Sequence, residues 1–358
     1  MPTLHARLSK LVLLAVALGA GIVLMPATAV AQPPYPFATP AFGLATAPDG
    51  SLLVADAGAG IVELRNGAGA LVAELPGVTD IAPIGRGDMF AITGGNGPGV
   101  NACAAPGACK LYRVSRGKAR VIADLGLYEA TVNPDAPEVN PNPFDVAALS
   151  GGEALVADAG GNDLLIVNNA GEIDWIATLP VELVSTANVK ALFGCPAGPP
   201  NICNLPPQIP AQAVATSIAI GPDGAYYMGE LKGFPAPTGA SRVWRIEPGT
   251  RHARCGTSPA CTVVADGFTS IIDLAFGEDG TLYVVEFDEA SWFAVEALPP
   301  GKAVGGTVNA CDLAAGTCAP LATGLTMPVA VSIGKSGEVF ALVRSLIPGG
   351  ASVITLQP

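Results

Sequence analysis

The sequence predicts an all-β chain folded as a six-bladed β-propeller of four-stranded antiparallel blades. One unit recurs six times: a short apolar strand, a tight turn with glycine, and a second strand that often ends in an acidic residue. The Asp-Gly, Gly-Asp and Gly-Gly pairs between the two strands supply the positive φ angles that tight hairpins need. Regular repetition of such a unit is typical of propeller blades. The copies start at Gly43, Asp80, Asp145, Ser217, Asp273 and Ala330.

Further strands complete each blade. A third apolar strand follows the first copies, as at residues 61–64 and 110–114, and a fourth usually follows it, as at 175–179. After the second strand of the last copy only residues 352–356 remain as a strand. We therefore predict that residues 35–39 supply the missing outer strand of the last blade and close the ring.

The start of the chain predicts export. Arg7 and Lys10 precede an uncharged apolar stretch at 11–24, and Ala29-Val30-Ala31 follows it. This order is that of a secretory signal peptide with an A-x-A cleavage site. We expect a signal peptide at 1–31 and a single propeller domain at 32–358. The mature protein should be a periplasmic or extracellular monomer without a membrane anchor.

Charge narrows the range of partners. The chain has a formal net charge of −12, and cleavage of the signal peptide would remove two basic residues and no acidic ones. Nucleic acids and anionic membranes are bound mainly through Lys and Arg, so neither fits this chain. A neutral organic ligand, a divalent cation or a partner protein fits better.

The cysteines occur as close neighbours in the sequence. In an exported chain this clustering favours local disulfides. A zinc site is disfavoured, because the sequence has no C-x-x-C and His252 is the only histidine after the signal peptide. The predicted pairs are Cys103 with Cys109, Cys195 with Cys203, Cys255 with Cys261, and Cys311 with Cys318.

Alternate residues of each first strand face opposite ways. One set is bulky and apolar in every copy and should pack between blades. Its members are Leu44, Ile81, Val146, Ile218, Leu274 and Val331. The other set should face a central channel, where Asp80, Asp145 and Asp273 would lie at one level. We predict that these three bind a ligand or a metal; alternatively, they accept hydrogen bonds from amides of neighbouring strands.

Long inserts point to one face of the propeller, here called the loop-rich face. This face carries the loops between second and third strands and the connections between blades. Function usually resides in long loops on a rigid scaffold. The second-strand acids Glu230 and Glu286 end on this face, so both are candidate ligand-binding residues. The inserts are at 94–109, 127–143, 182–212, 231–241 and 287–305.

Two kinds of side chain on this face suggest a ligand. Oxygen-bearing residues crowd the 127–143 insert, including Glu129, Asp135 and the candidate Asn142. Ca²⁺ takes six to eight oxygens and is the one possible cofactor, although Asn and Asp also form turns without any ligand. The aromatic rings of Phe144 and Phe234 would suit a flat organic ligand.

Longer stretches resemble a known family. The GPDG turns resemble NHL-type and SMP-30-like propellers, and the segment GELKGFPAP at residues 229–237 resembles the ScyD/ScyE family of exported bacterial proteins. That resemblance covers about residues 41–345. It implies a periplasmic six-bladed propeller involved in extracytoplasmic maturation of an aromatic metabolite. Glu230, Phe234 and Pro235 match the family segment.

Three functions remain open from the sequence, which leaves it uncertain whether the protein is an enzyme. The first is binding of a small ligand, for example an aromatic one, at the loop-rich channel face. The second is Ca²⁺-dependent hydrolysis of the lactonase kind, for which a histidine general base is missing. The third is a protein-interaction scaffold without chemistry. The sequence contains no G-x-S-x-G motif and no phosphate-binding or dinucleotide fingerprint.

Overall fold

The computed structural model describes residues 35–85, 87–97, 99 and 101–357. The predicted signal peptide and its cleavage site lie outside these residues. Within the described part, no helix is long and apolar enough to cross a membrane.

The first three blades follow one another along the chain. Blade 1 consists of β1 (Ala41–Thr46), β2 (Leu52–Asp56), β3 (Gly60–Arg65) and β4 (Ala68–Glu74). Blade 2 consists of β5 (Val78–Gly85), β6 (Asp88–Thr93), β7 (Lys110–Ser115) and β8 (Lys118–Asp124), and helix α1 (Leu125–Thr131) follows it. Blade 3 consists of β9 (Pro143–Ala148), β10 (Ala154–Asp158), β11 (Asp163–Val167) and β12 (Ile173–Thr178).

An insert with its own structure separates blades 3 and 4. It contains β13 (Glu182–Ser185), α2 (Ala187–Leu192), α3 (Pro200–Cys203) and β14 (Gln208–Ala211). Strands β13 and β14 pair as a separate two-stranded sheet. The sequence predicted the insert as a long loop and did not predict these elements.

The second half of the ring follows. Blade 4 consists of β15 (Ala215–Ile220), β16 (Tyr226–Glu230), β17 (Ser241–Ile246) and, after the short β18 (Ala253–Arg254), β19 (Cys261–Phe268). Blade 5 consists of β20 (Ile271–Phe276), β21 (Leu282–Glu286), helix α4 (Trp292–Glu296), β22 (Gly306–Asp312) and β23 (Thr317–Leu325). Blade 6 consists of β24 (Ala330–Ile333), β25 (Val339–Val343) and β26 (Ser352–Leu356).

The predicted six-bladed propeller is confirmed. Each first strand contacts the first strands of both neighbouring blades, and β24 contacts β1 to complete the ring. Every pairing inside a blade between successive strands is antiparallel. Blade 3 gains an unforeseen fifth strand, because β18 pairs in parallel with the outer edge of β12.

The predicted closure by residues 35–39 is wrong. These residues form no strand, and the sheet of blade 6 has three strands in the described part of the chain. The carboxylate of Asp56 instead accepts hydrogen bonds from the backbone N–H groups of Ala38 (2.6 Å) and Thr39 (3.0 Å). The segment is thereby held on blade 1, while Phe37 is buried in the core shared with blade 6. Ring closure depends on packing and not on a shared sheet.

The core lies between the blades. The bulky first-strand residues predicted to pack there are all buried, between 2 and 6 % exposed. Leu44 and Val331 share one cluster that joins blade 1 to blade 6, and Ile218 lies with Leu155 and Met228 between blades 3 and 4. Full burial of such a side chain contributes roughly 1.5–3 kcal/mol. The repeat therefore buries apolar area at every blade junction.

All four predicted disulfides are present. The Cys103–Cys109 and Cys195–Cys203 bridges lie in loop-rich inserts. The other two lie on the opposite face, and Cys311–Cys318 joins directly paired residues of β22 and β23. Disulfides persist in oxidising compartments, so the bridges indicate an exported protein.

Candidate functional site

The three channel aspartates lie at one level and tie consecutive blades together. Asp80 accepts the N–H of Val146 (3.0 Å), and Asp145 accepts the N–H of Ile218 (2.6 Å). Asp273 accepts the N–H of Val331 at 2.7 Å. Each donor belongs to the first strand of the next blade. The alternative that the sequence left open, hydrogen bonding to amides of neighbouring strands, is therefore present at all three positions. It occupies one oxygen of each carboxyl.

Proximity and poor solvation govern the charge of these carboxyls. Loss of water in the narrow channel, followed by the nearby Asp145 carboxyl, raises the pKa of Asp80 and of Asp273. Loss of water also raises the pKa of Asp145. The described residues contain no group of three or more His, Cys, Asp or Glu side chains already arranged to hold a metal ion. At the axis, each aspartate already spends one carboxyl oxygen on a backbone N–H, so the three offer fewer free oxygens than the six to eight that Ca²⁺ takes.

The channel is open at the face opposite to the expected one. A cavity of about 280 Å³ reaches the aspartates and is lined by the ends of the first strands, including Thr46, Phe276 and Ile333. On the loop-rich side the rings of Phe42 and Phe144 meet edge to face with centroids 5.7 Å apart. Only about 10 Å³ remains beside them. Phe144 thus closes the axial mouth on the face that carries the inserts.

The second-strand acids on the loop-rich face hold the structure around them. Besides its bonds to residues 38 and 39, Asp56 accepts the N–H of Gly58 at 3.0 Å. Glu286 accepts the N–H of Thr269 and the side-chain amide of Asn309 (2.6 Å). Asp158 accepts three backbone N–H groups through its Oδ1. In each of these blades, the contacts join the end of the second strand to the connection that enters the same blade.

Glu230 lies in a buried ion-pair network. Its Oε2 accepts from Lys232 Nζ at 3.0 Å, and both side chains are fully buried. Its Oε1 accepts from Arg242 Nε at 2.8 Å. Lys232 and Arg242 also pair with Glu182 of β13. Burial raises the pKa of Glu230, and Lys232 opposes that shift. The network fastens the 182–212 insert to the propeller, which leaves Glu230 inaccessible to a ligand.

Glu286 provides a pH-dependent test of the burial on this face. Burial raises the pKa of Glu286 from 4.5 to about 7. The folded state therefore keeps a proton that the unfolded state releases, and this stabilisation is complete below pH 4.5 and lost as the pH rises towards 7. We expect Glu286→Gln to gain about 3 kcal/mol relative to the parent protein between pH 4.5 and about pH 8.

The measurement is denaturant unfolding of both proteins across this range. Asp88→Asn is the control, because Ser115 and Arg113 lower the pKa of Asp88. The difference in unfolding free energy between this variant and the parent protein should therefore not change above pH 4.5. A constant difference for Glu286→Gln would contradict the expected behaviour.

An apolar groove lies beside Phe234. It has a volume of about 390 Å³. Phe234 is 39 % exposed, Val181 61 % and the adjacent Leu183 65 %. The groove lies between the 127–143 and 182–212 inserts and is lined by Asp135, Ala136, Pro137, Glu138, Val181, Pro210, Gln212 and Phe234.

Further aromatic rings pack next to Phe234. Phe293 lies 5.8 Å from Phe234 and 6.0 Å from Phe193 between ring centroids. Trp292 lies 5.5 Å from Phe293 and donates its indole N–H to the carbonyl of Lys232 at 2.8 Å. The structure thus brings together Phe234, Trp292 and Phe293, whereas Phe144 lies apart at the axis.

Asn142 holds an insert that lines a second groove. Its Oδ1 accepts the N–H of Gly95 at 3.0 Å and so positions the 94–109 insert. That insert lines a groove of about 590 Å³ between blades 1 and 2, with Phe42, Thr79 and Asn96 among its lining residues. Its described lining contains no charged side chain.

Sequence reasoning missed several residues of the face. Val181 and Gln212 line the groove although neither belongs to a recognisable motif. Lys232 was within the family-like segment, but a lysine in a loop predicts solvent exposure. Its pairing depends on Glu182, fifty residues away along the chain, and no local pattern reports such a contact.

Comparison with known proteins supports the fold. No family model and no curated protein matches the chain. A gluconolactonase from Xanthomonas campestris matches with a TM-score of 0.54 and 12% identity, covering 90% of this chain and 88% of that one. A calcium-binding regucalcin from Agrobacterium tumefaciens matches with a TM-score of 0.51 and 12% identity, covering 86% and 83%. A protein of unknown function from Bacteroides thetaiotaomicron gives 0.53 and 12%, covering 89% and 70%.

These similarities agree with the six-bladed propeller fold of this chain. At such low identity the likeness shows the fold alone. The more specific resemblance to the ScyD/ScyE family stays a prediction.

Proposed function

We propose that this exported propeller binds a small ligand with a flat, apolar body in the groove beside Phe234. The observation that carries the proposal is the exposure of Phe234 and Val181, which both line one groove on the loop-rich face. Contiguous exposed apolar side chains on a soluble protein commonly mark a binding site. The groove volume of about 390 Å³ suits a small organic molecule.

The walls of the groove restrict the charge of the ligand. Asp135 and Glu138 form one wall, and Gln212 donates a hydrogen bond to Glu138 at 3.0 Å. An anion would meet these carboxylates and the net negative charge of the chain. A neutral or cationic aromatic molecule therefore fits best. This agrees with the aromatic metabolite that the ScyD/ScyE resemblance implies.

The lactonase alternative has less support from the geometry. An axial Ca²⁺ on the loop-rich face would need oxygens where Phe42 and Phe144 meet. His252 stacks on Trp175 at 4.7 Å and pairs with Asp174, away from both the axis and the groove. The gluconolactonase and regucalcin similarities concern the fold and add no catalytic residue.

A neutral fluorescent probe tests the groove. We expect N-phenyl-1-naphthylamine to bind the protein with increased fluorescence. Phe234→Ala should weaken its binding about tenfold or more, because the ring supplies much of the apolar contact. Val181→Ala should weaken it less. Titration of each variant gives the dissociation constants.

Val121→Ala is the matched control, because this valine is 48 % exposed on β8 of blade 2, outside the groove. It should bind the probe like the parent protein. Equal binding by all variants would overturn the groove assignment and would favour the protein-interaction scaffold, whose partner would be a protein and not a small molecule.

A further inference from the structure

Four acidic side chains gather off the propeller axis, where helix α1 and the loop after it cover blade 3. They are Glu129, Asp135, Asp158 and Asp163, here called the blade 3 acid cluster. Asp158 and Asp163 are 1 % exposed and Glu129 is 2 % exposed, while Asp135 is half-buried. Acidic side chains are almost never fully buried unless they are paired.

Three of the four carboxyls surround one point. A Cβ atom placed on Gly161 would lie 3.4 Å from Asp158 Cγ, from Asp163 Oδ2 and from Glu129 Oε2. Asp158 and Asp163 are also directly opposite each other in the pairing of β10 with β11. Like charges in directly opposite positions destabilise a sheet. The fold therefore concentrates negative charge at this place.

Several of these buried oxygens have no hydrogen-bond partner. Both carboxylate oxygens of Asp163 lack one, as do Asp158 Oδ2 and Asp135 Oδ1. Asn133 Oδ1, in the same connection, is buried and unpartnered as well. A buried polar group without a partner costs free energy comparable to a lost hydrogen bond, and a buried charge costs more. The orphan oxygens point to a missing positive partner.

In other blades, the acid that ends the second strand has hydrogen-bond partners for its carboxylate oxygens. In blade 1, Asp56 spends both oxygens on backbone N–H groups, and its cross-strand partner is Gly60 where blade 3 has Asp163. In blade 4, Glu230 pairs with Lys232 and Arg242. Asp163, the extra acid of blade 3, therefore departs from the repeat. Among the described residues, no N–H group or cation contacts its carboxylate.

We propose that the blade 3 acid cluster binds one Ca²⁺ ion, which joins helix α1 and its loop to blade 3. Ca²⁺ takes six to eight oxygen ligands at 2.3–2.6 Å, and the acids with Asn133 offer a set of that size without histidine or cysteine. Mg²⁺ is less suited, because it retains several waters in a strict octahedron. The carboxylates are not yet arranged as a coordination shell, so binding rotates them inward.

The cluster is separate from the proposed ligand site, because Glu129, Asp158 and Asp163 are buried, whereas the apolar side chains of the groove are exposed. It does share one residue with the groove, because Asp135 lines the wall beside Phe234. A bound cation would hold that wall in place.

Calcium titration of the disulfide-bonded protein tests the site. After removal of metal with a chelator, Ca²⁺ should raise Tm and bind with a stoichiometry near one by calorimetry. At Ca²⁺ about 100-fold above Kd the rise should be roughly 5 °C, and Mg²⁺ at the same concentration should give much less. No shift and no heat with Ca²⁺ would overturn the proposal.

Two buried aspartates, one in the cluster and one in blade 1, separate a cation site from a structural role. Asp163→Asn should abolish the Ca²⁺ response and raise Tm in the chelator, because it removes a buried unpaired charge. Asp56→Asn, the matched control in blade 1, should lower Tm in the chelator and keep the full Ca²⁺ response. An Asp163→Asn variant that keeps the response, or that loses stability in the chelator as Asp56→Asn does, would contradict the assignment.

Discussion

Lys232→Met is expected to lower the free energy of unfolding by about 3–5 kcal/mol. Lys232 is fully buried and lies between the carboxylates of Glu230 (3.0 Å) and Glu182 (2.7 Å). Methionine keeps much of the side-chain volume but leaves the buried Glu230 Oε2 without its cation. Arg242 still pairs with Oε1, so we expect the lower part of this range.

Denaturant unfolding with an unchanged m-value measures this loss. The double variant Lys232→Met/Glu230→Gln should recover part of the stability, because the unpaired charge is removed together with its partner. Arg65→Ala breaks an ion pair with Asp49 in which both side chains are 51 % exposed, and exposed pairs contribute only about 0–1 kcal/mol. Equal losses for Lys232→Met and Arg65→Ala would show that burial of the network does not matter.

Gly160→Ala should be nearly as damaging. A Cβ atom at Gly160 would lie 1.7 Å from the carbonyl oxygen of Asn140. That oxygen belongs to the backbone of the connection entering blade 3, which Asp158 holds through the N–H of Asn142 at 2.7 Å. The backbone cannot turn aside as a flexible side chain could. We expect a loss of about 3 kcal/mol or more, at the upper end of what overpacking costs.

Gly161→Ala is the neighbouring control. The nearest atoms to its added Cβ lie at 3.4 Å, an ordinary contact distance. In the presence of a chelator, so that no cation contributes, this variant should remain within about 1 kcal/mol of the parent protein. Denaturant unfolding of the two alanine variants measures both values. If both variants lost similar amounts of stability, the close approach of the Asn140 carbonyl to Gly160 would not be the cause.

Local signals account for the parts of the fold that the sequence predicted well. The turn pairs such as Asp49-Gly50 lie between residues that become neighbours in a hairpin, and Gly50 adopts a φ of 90° there. The paired cysteines are six to eight residues apart in the chain. Both features depend on a few consecutive residues, so a linear pattern can report them.

Contacts between distant residues decided what the sequence did not predict. Residues 35–39 have strand-like composition, yet the Asp56 carboxylate takes the N–H groups that a strand would have used. The Ala253–Arg254 segment joins blade 3 although it follows the third strand of blade 4. In both places, segments far apart in the chain compete for the same backbone groups, and no local preference determines the outcome.

The candidate site shows the same division. The repeat by itself determined that the chain forms a six-bladed propeller and that Asp80, Asp145 and Asp273 line its channel, because strand periodicity sets which way a side chain points. Only the tertiary structure decided that the channel is closed on the loop-rich side, that Glu230 is paired within the protein and that both carboxylate oxygens of Asp163 in blade 3 lack a partner. The availability of a carboxylate for a ligand depends on which groups distant segments bring to it, and those partners are set by packing.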